Sequence, residues 1–190
     1  MSNIYKNTIV ITNKSLVTGD YLAQIRKVCA LNPVSLILRE KTLSDSEYEA
    51  LASEVYSICN SFGVPFYIHS HSDIAIKLGF KNIHLSIGLA EELGKDFLSS
   101  NFDSVSISCH SKEDVLKACN LGADRIILGT IFETDCKPGL IGKGLEFVSS
   151  VCSACPIPVY CIGGIKPHNL MSVMEAGAAG GCMMSEFMRM

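Results

Sequence analysis

At 190 residues, 48% hydrophobic and 18% charged, the chain is long enough to remove roughly two-thirds or more of its unfolded surface from water, and it reads as one domain, 1–190. Its 16 Lys and Arg and 19 Asp and Glu leave a net charge of -3 with the two signs interleaved, so nothing points to nucleic acid as a partner. No run approaches the ~20 apolar residues of a membrane span and the N-terminus carries no basic-then-apolar leader, which predicts a cytoplasmic protein with no membrane partner.

In chain order, strand-like and helix-like segments alternate. The β-branched run 8–12 precedes helical spacing over 21–30, and the apolar run 34–38 precedes a helix over 44–62, where Ser44 and Glu47 form a reciprocal cap pattern. Further strands are predicted over 65–68, 82–85, 104–108, 125–128, 158–162 and 179–184, interleaved with helices over 72–78, 90–98, 111–120, 145–152 and 167–175. Eight strands with short helical connections predict an α/β fold, a compact (β/α)8 or TIM barrel, although an open parallel sheet shares the same alternation. Such barrels usually need about 250 residues. Here only residues 186–190 follow Ser185, so the last outer helix is truncated. That shortfall predicts an apolar flank beside the first and last strands and, as its cover, a homodimer.

Nine cysteines, at 29, 59, 109, 119, 136, 152, 155, 161 and 182, are odd in number and scattered through apolar segments. They read as small buried hydrophobes in a reducing compartment. Cys152-x-x-Cys155 has no second Cys or His pair to complete four zinc ligands, so neither metal nor cofactor is assigned.

A barrel of this kind carries its site on loops at the C-terminal ends of its strands, and position nominates the residues. Arg39 and Lys41 end strand 2 as an anion clamp, unless Arg39 merely pairs with Glu40. His69 and His71 follow strand 3, with no close Asp or Glu to complete a metal site. His84 lies in an apolar strand end and reads as structural. Ser108 and His110 end strand 5, where a histidine suits acid-base work near neutral pH or simply bonds a carbonyl. The long glycine-punctuated loop 129–144, with Thr130 and Lys137, is a binding loop in this setting. Ile162-Gly163-Gly164-Ile165 and Gly180-Gly181-Cys182-Met183-Met184-Ser185 each end a strand in a backbone-rich turn, which predicts that Gly163, Gly164, Met184 and Ser185 bind a phosphate.

Leu38-Arg39-Glu40-Lys41, Ile83-His84-Leu85, Ser108-Cys109-His110-Ser111, the run 129–137 (GTIFETDCK), 162–165 and the Ser185 turn, in that order and spacing, resemble the thiamine phosphate synthase and thiazole tautomerase (TenI) superfamily over nearly the whole chain. The resemblance implies a (β/α)8 barrel that binds a small phosphorylated thiazole. Synthase members join a pyrimidine methyl diphosphate to a thiazole phosphate with Mg2+ held by acidic residues. Their pattern has Asn-Asp after strand 3 and His-Leu-Gly-Gln-x-Asp after strand 4, where this chain has His69-Ser70 and His84-Leu85-Ser86-Ile87-Gly88-Leu89, so both magnesium carboxylates are missing. The loop wording is closer to the tautomerase branch, which moves a proton without metal. That branch carries a histidine where this chain has Thr130, so the resemblance leaves His110, His69 or His71 to take the acid-base role, while Lys137 enters the same mouth and holds anionic groups with Arg39. The expected function is a thiazole tautomerase. The alternatives are a synthase with a degraded Mg2+ site and a non-catalytic thiazole or thiamine phosphate binder.

Overall fold

The computed structural model describes residues 4–134, 139 and 141–190. Eight parallel strands, β1 (Thr8–Ile11), β2 (Ser35–Leu38), β3 (Phe66–His69), β4 (Asn82–Ser86), β5 (Ser104–Cys109), β6 (Arg125–Gly129), β7 (Val159–Ile162) and β8 (Gly180–Met183), pair in sequence order and close into a barrel. Closure is made by β1 against β8, with Ile9 opposite Cys182. The open-sheet alternative is thereby excluded. Outside lie α1 (Tyr21–Cys29), α2 (Asp45–Ser61), α3 (Ser72–Leu78), α4 (Ile87–Leu93), α5 (Lys95–Asn101), α6 (Lys112–Asn120), α7 (Gly144–Cys152), α8 (Leu170–Glu175) and α9 (Ser185–Met188).

Side-chain alternation along each strand divides two cores. Leu36, Leu38, Ile83, Leu85, Val105, Ile107, Ile126 and Leu128 face the helices, whereas Ile9, Ile11, Ile37, Tyr67, Ile127 and Cys182 fill the barrel itself. The caps are local devices. Ser44 accepts from the Glu47 N–H while Glu47 reaches back to Ser44, and Ser111 and Asp114 repeat the arrangement at α6. Of the eight described cysteines, 29, 59, 109, 161 and 182 are buried.

Two expectations need correction. The helix expected over 90–98 is two helices, because Gly94 adopts φ 79° and ψ 158° and breaks the run. The last helix spans four residues, and among the described residues its apolar side chains Phe187 and Met188 are covered rather than left as a flank. Phe187 and Met188 are buried within the chain, Tyr5 lies 5.4 Å from the Phe187 ring, and the Gln24 amide of α1 donates to the Phe187 carbonyl at 2.6 Å. The chain's own N-terminal segment supplies the missing cover, so the flank no longer argues for a second copy. Among the described residues no helix is long and apolar enough to cross a membrane.

Candidate functional site

At the C-terminal ends of the strands the barrel opens into a large mouth. Arg39, Lys41, His69, Ser108, His110, Thr130, Gly163, Gly164, Met184 and Ser185 all line it, together with His71 and His84. Lys137 lies outside the described residues.

On the β2–β5 side the mouth is made of side chains held by hydrogen bonds. Glu40 is buried and accepts from the Thr12 hydroxyl at 2.7 Å, the Tyr21 hydroxyl at 3.0 Å and the Lys14 N–H at 2.9 Å. It is therefore engaged across the barrel rather than with Arg39, and among the described residues no carboxylate lies within 4.0 Å of Arg39 or Lys41. Both cations remain available to an anion.

Tyr48 of α2 donates to the Leu38 carbonyl at 2.6 Å and accepts from the His69 N–H at 3.2 Å, tying β2 to β3 beneath the mouth. Burial, with the charges of Arg39 and Lys41, pushes the His69 pKa down to about 4, so its ring is neutral at pH 7. His71 contradicts the sequence expectation. Its Nδ1 sits 3.6 Å from Asp45 and its ring packs on Tyr48 at 4.1 Å, a carboxylate brought from 26 residues away by the turn into α2. His84 is satisfied as expected, with Nδ1 at 2.9 Å from the Ser106 hydroxyl and Nε2 at 2.9 Å from the Ser108 hydroxyl, and complete burial keeps it uncharged.

His110 is set differently. Its backbone N–H donates to the α6-capping Asp114 at 2.7 Å, and its Nδ1 lies 2.8 Å from the Gly129 carbonyl. A carbonyl oxygen only accepts, so Nδ1 carries the hydrogen and Nε2 is the acceptor in the neutral ring.

On the β6–β8 side the mouth is largely backbone. Ile131 N–H donates to the Ile162 carbonyl at 3.0 Å and Phe132 N–H to the Gly163 carbonyl at 3.0 Å, so the loop after β6 is zipped onto the glycine turn. Gly163 and Gly164 have φ of 97° and 64°, and a Cβ on either would lie 2.4 Å from Thr130 Cγ2 or 2.6 Å from the Glu133 carbonyl oxygen. Packing, as much as any ligand, requires these glycines. Asn169, which the sequence reading missed, clamps the same turn by donating to the Gly164 carbonyl at 2.9 Å and accepting from Lys166 N–H at 2.8 Å. Lys166, His168 and Arg189 also reach the mouth. The turn residues Pro167-His168-Asn169 were the available signal, an Asx-type turn of the kind that follows a strand.

Magnesium does not fit the described donors. Ser70 and Leu89 stand where the resemblance expects carboxylates, Ser70 Oγ is engaged with His69 Nδ1 at 2.9 Å, and Glu40 is held by Thr12, Tyr21 and Lys14. Among the described residues no three His, Cys, Asp or Glu side chains converge as a metal group.

With this geometry in place, comparison with known proteins decides the lineage. A family model described as thiamine monophosphate synthase matches residues 8–187. The chain belongs to the thiamine phosphate synthase and TenI superfamily. It is 32% identical over 180 residues to a thiamine-phosphate synthase of Clostridium botulinum, covering 90% of this chain and 84% of that protein. It is 31% identical over 188 residues to the same enzyme of Caldanaerobacter subterraneus subsp. tengcongensis, covering 95% and 85%. The solved thiamine phosphate pyrophosphorylase of Pyrococcus furiosus superposes with a TM-score of 0.79 at 22% identity over 98% of this chain and 95% of that one, a likeness of fold. A FabK variant of Thermotoga maritima gives a TM-score of 0.68 at 16% identity over 97% of this chain and 63% of that one, so the barrel alone does not define the chemistry.

Proposed function

We propose that the mouth binds a phosphorylated thiazole in thiamine biosynthesis and moves a proton within it, a tautomerase reaction needing no metal. The observation that carries this reading is the His110 to Gly129 contact, which engages Nδ1 and assigns the base role to Nε2 of a ring that lines the mouth. His110 takes a proton from the ring of a thiazole carboxylate phosphate and returns one at the position that makes the ring aromatic, so the reaction is an isomerisation and consumes nothing else. Arg39 and Lys41 hold anionic groups. The Gly163, Gly164, Met184 and Ser185 turns take the phosphate through backbone N–H groups, each such charged hydrogen bond contributing about 1.5–3 kcal/mol. Thr130, Lys137, Ser108 and His69 complete the substrate contacts. A cytoplasmic location goes with this reading.

A second reading, thiamine phosphate synthase, is favoured by the names of the relatives, thiamine-phosphate synthases such as the two at 31–32% identity over most of their length, and these names support coupling more directly than isomerisation. Against it stands the donor set at Ser70 and Leu89. Titration calorimetry with thiazole carboxylate phosphate, with and without Mg2+, followed by NMR of the product, separates the readings. The tautomerase reading expects metal-independent isomer formation, reduced about 10²- to 10⁴-fold in His110→Ala with phosphate binding retained. Robust Mg2+-dependent formation of thiamine phosphate from the pyrimidine diphosphate overturns it in favour of the synthase. Tight binding without turnover establishes a binding protein.

A further inference from the structure

The opposite end of the barrel holds an unusual charge. Ile126 and Leu128 face the helices and Ile127 the barrel interior, so Arg125, at the first position of β6, also points inward. The residue is 7% exposed, and its Cζ sits 3.8 Å over the Tyr67 ring. The ring face attracts the cation but satisfies no in-plane N–H. Nε and Nη2 have no hydrogen-bond partner, and the neighbouring Asp124 is turned away, accepting from Val105 N–H at 2.7 Å. Among the described residues no carboxylate comes within 4.0 Å of the guanidinium. A buried charge without a counter-charge is costly, and arginine stays protonated, so deprotonation gives no relief.

The two orphan groups are informative together. Nε–H and one Nη2–H lie along the same edge of the guanidinium plane and point in parallel, the fork that takes one halide ion or two oxygens of a planar oxyanion. Ser35 Oγ, on the interior face of β2 at the same end of the barrel, is a second buried polar atom without a partner. The Tyr67 and Ser104 hydroxyls, paired at 2.8 Å, add further polar lining. We propose that this base of the barrel binds a small monovalent anion on the Nε–Nη2 edge of Arg125, independently of the mouth. Water satisfies the hydrogen bonds but leaves the charge, whereas an anion answers both.

Thermal unfolding of the full chain at constant ionic strength and pH tests this, with sodium chloride, nitrate or formate compared against gluconate, which is too bulky for the edge. The proposal expects a saturable rise on the order of 2–4 °C in the small anions and none in gluconate. Arg125→Gln removes the dependence, while Arg39→Met, which alters the mouth, retains it. Equal melting in chloride and gluconate, or a dependence that survives Arg125→Gln and disappears in Arg39→Met, overturns the proposal. Should Arg125→Gln fail to fold, chloride-35 NMR of the unmodified protein decides: line broadening relieved by nitrate supports the site, and no broadening overturns it.

Discussion

From β2 to β5 the mouth is made of side chains, and from β6 to β8 it is made largely of backbone. Arg39, His69, His84, Ser108 and His110 stand on strand ends whose own packing lies elsewhere, toward the helices. Gly163 and Gly164 instead carry the weight of the β6 loop, with Thr130, Phe132 and Glu133 pressed against them. The difference teaches where chemistry can change without changing the fold: substitutions in the first half alter what the mouth holds, and substitutions in the second alter whether the mouth exists.

The sharpest way to break this contrast is on the glycine side. Gly164→Val places a β-branched residue at φ 64° with its Cβ 2.6 Å from the Glu133 carbonyl oxygen, so strain and overpacking together should cost about 4 kcal/mol by urea denaturation. A variant of unchanged stability would refute the packing role. For the same reason, lost ligand binding in that variant does not by itself locate a phosphate.

Beside the glycines, Thr130→His restores the histidine of the tautomerase branch. If His110 is the working base, it should raise turnover little; a gain of about 10²-fold or more would move the proton-transfer role to position 130. Arg39→Met should weaken binding of the phosphorylated ligand about 10-fold, with a smaller salt dependence and an unchanged melting temperature, because Glu40 rather than Arg39 makes the structural bonds there. A melting temperature lowered by several degrees would show that the two halves are not separable.

Tyr48→Phe leaves the Leu38 carbonyl and the His69 N–H without their shared partner and should cost about 1–2 kcal/mol, with the effect confined to stability rather than turnover. The smallest effect concerns pH. His69, neutral in the fold down to about pH 4, binds a proton near 6.5 when unfolded, so between those values the unfolded chain holds more protons and stability falls as pH falls. His69→Gln should flatten that slope by on the order of 1 kcal/mol between pH 7 and 4.5, the half-buried ring being partly screened by water. Identical slopes for the two proteins would remove His69 as the source.

Much of the fold and part of the site were legible in the residues themselves. Alternation of strand and helix periods, the Ser44 cap, and the order of Arg39, Lys41, His110 and the glycine turns along the strand ends follow from local spacing, and barrel topology then brings those ends together. Gly94 could have signalled the broken helix after β4, but a lone glycine inside a helical pattern is usually tolerated.

By itself the sequence determined the alternating architecture and the family, because these rest on patterns a few residues long repeated in order. Only the tertiary structure decided that Glu40 serves Thr12, Lys14 and Tyr21 instead of Arg39, that Asp45 meets His71, that Gln24 and Tyr5 cover Phe187, and that Arg125 has no counter-charge. The physical reason is distance along the chain. Gln24 and the Phe187 carbonyl are separated by 163 residues and meet through barrel closure, which no local period encodes.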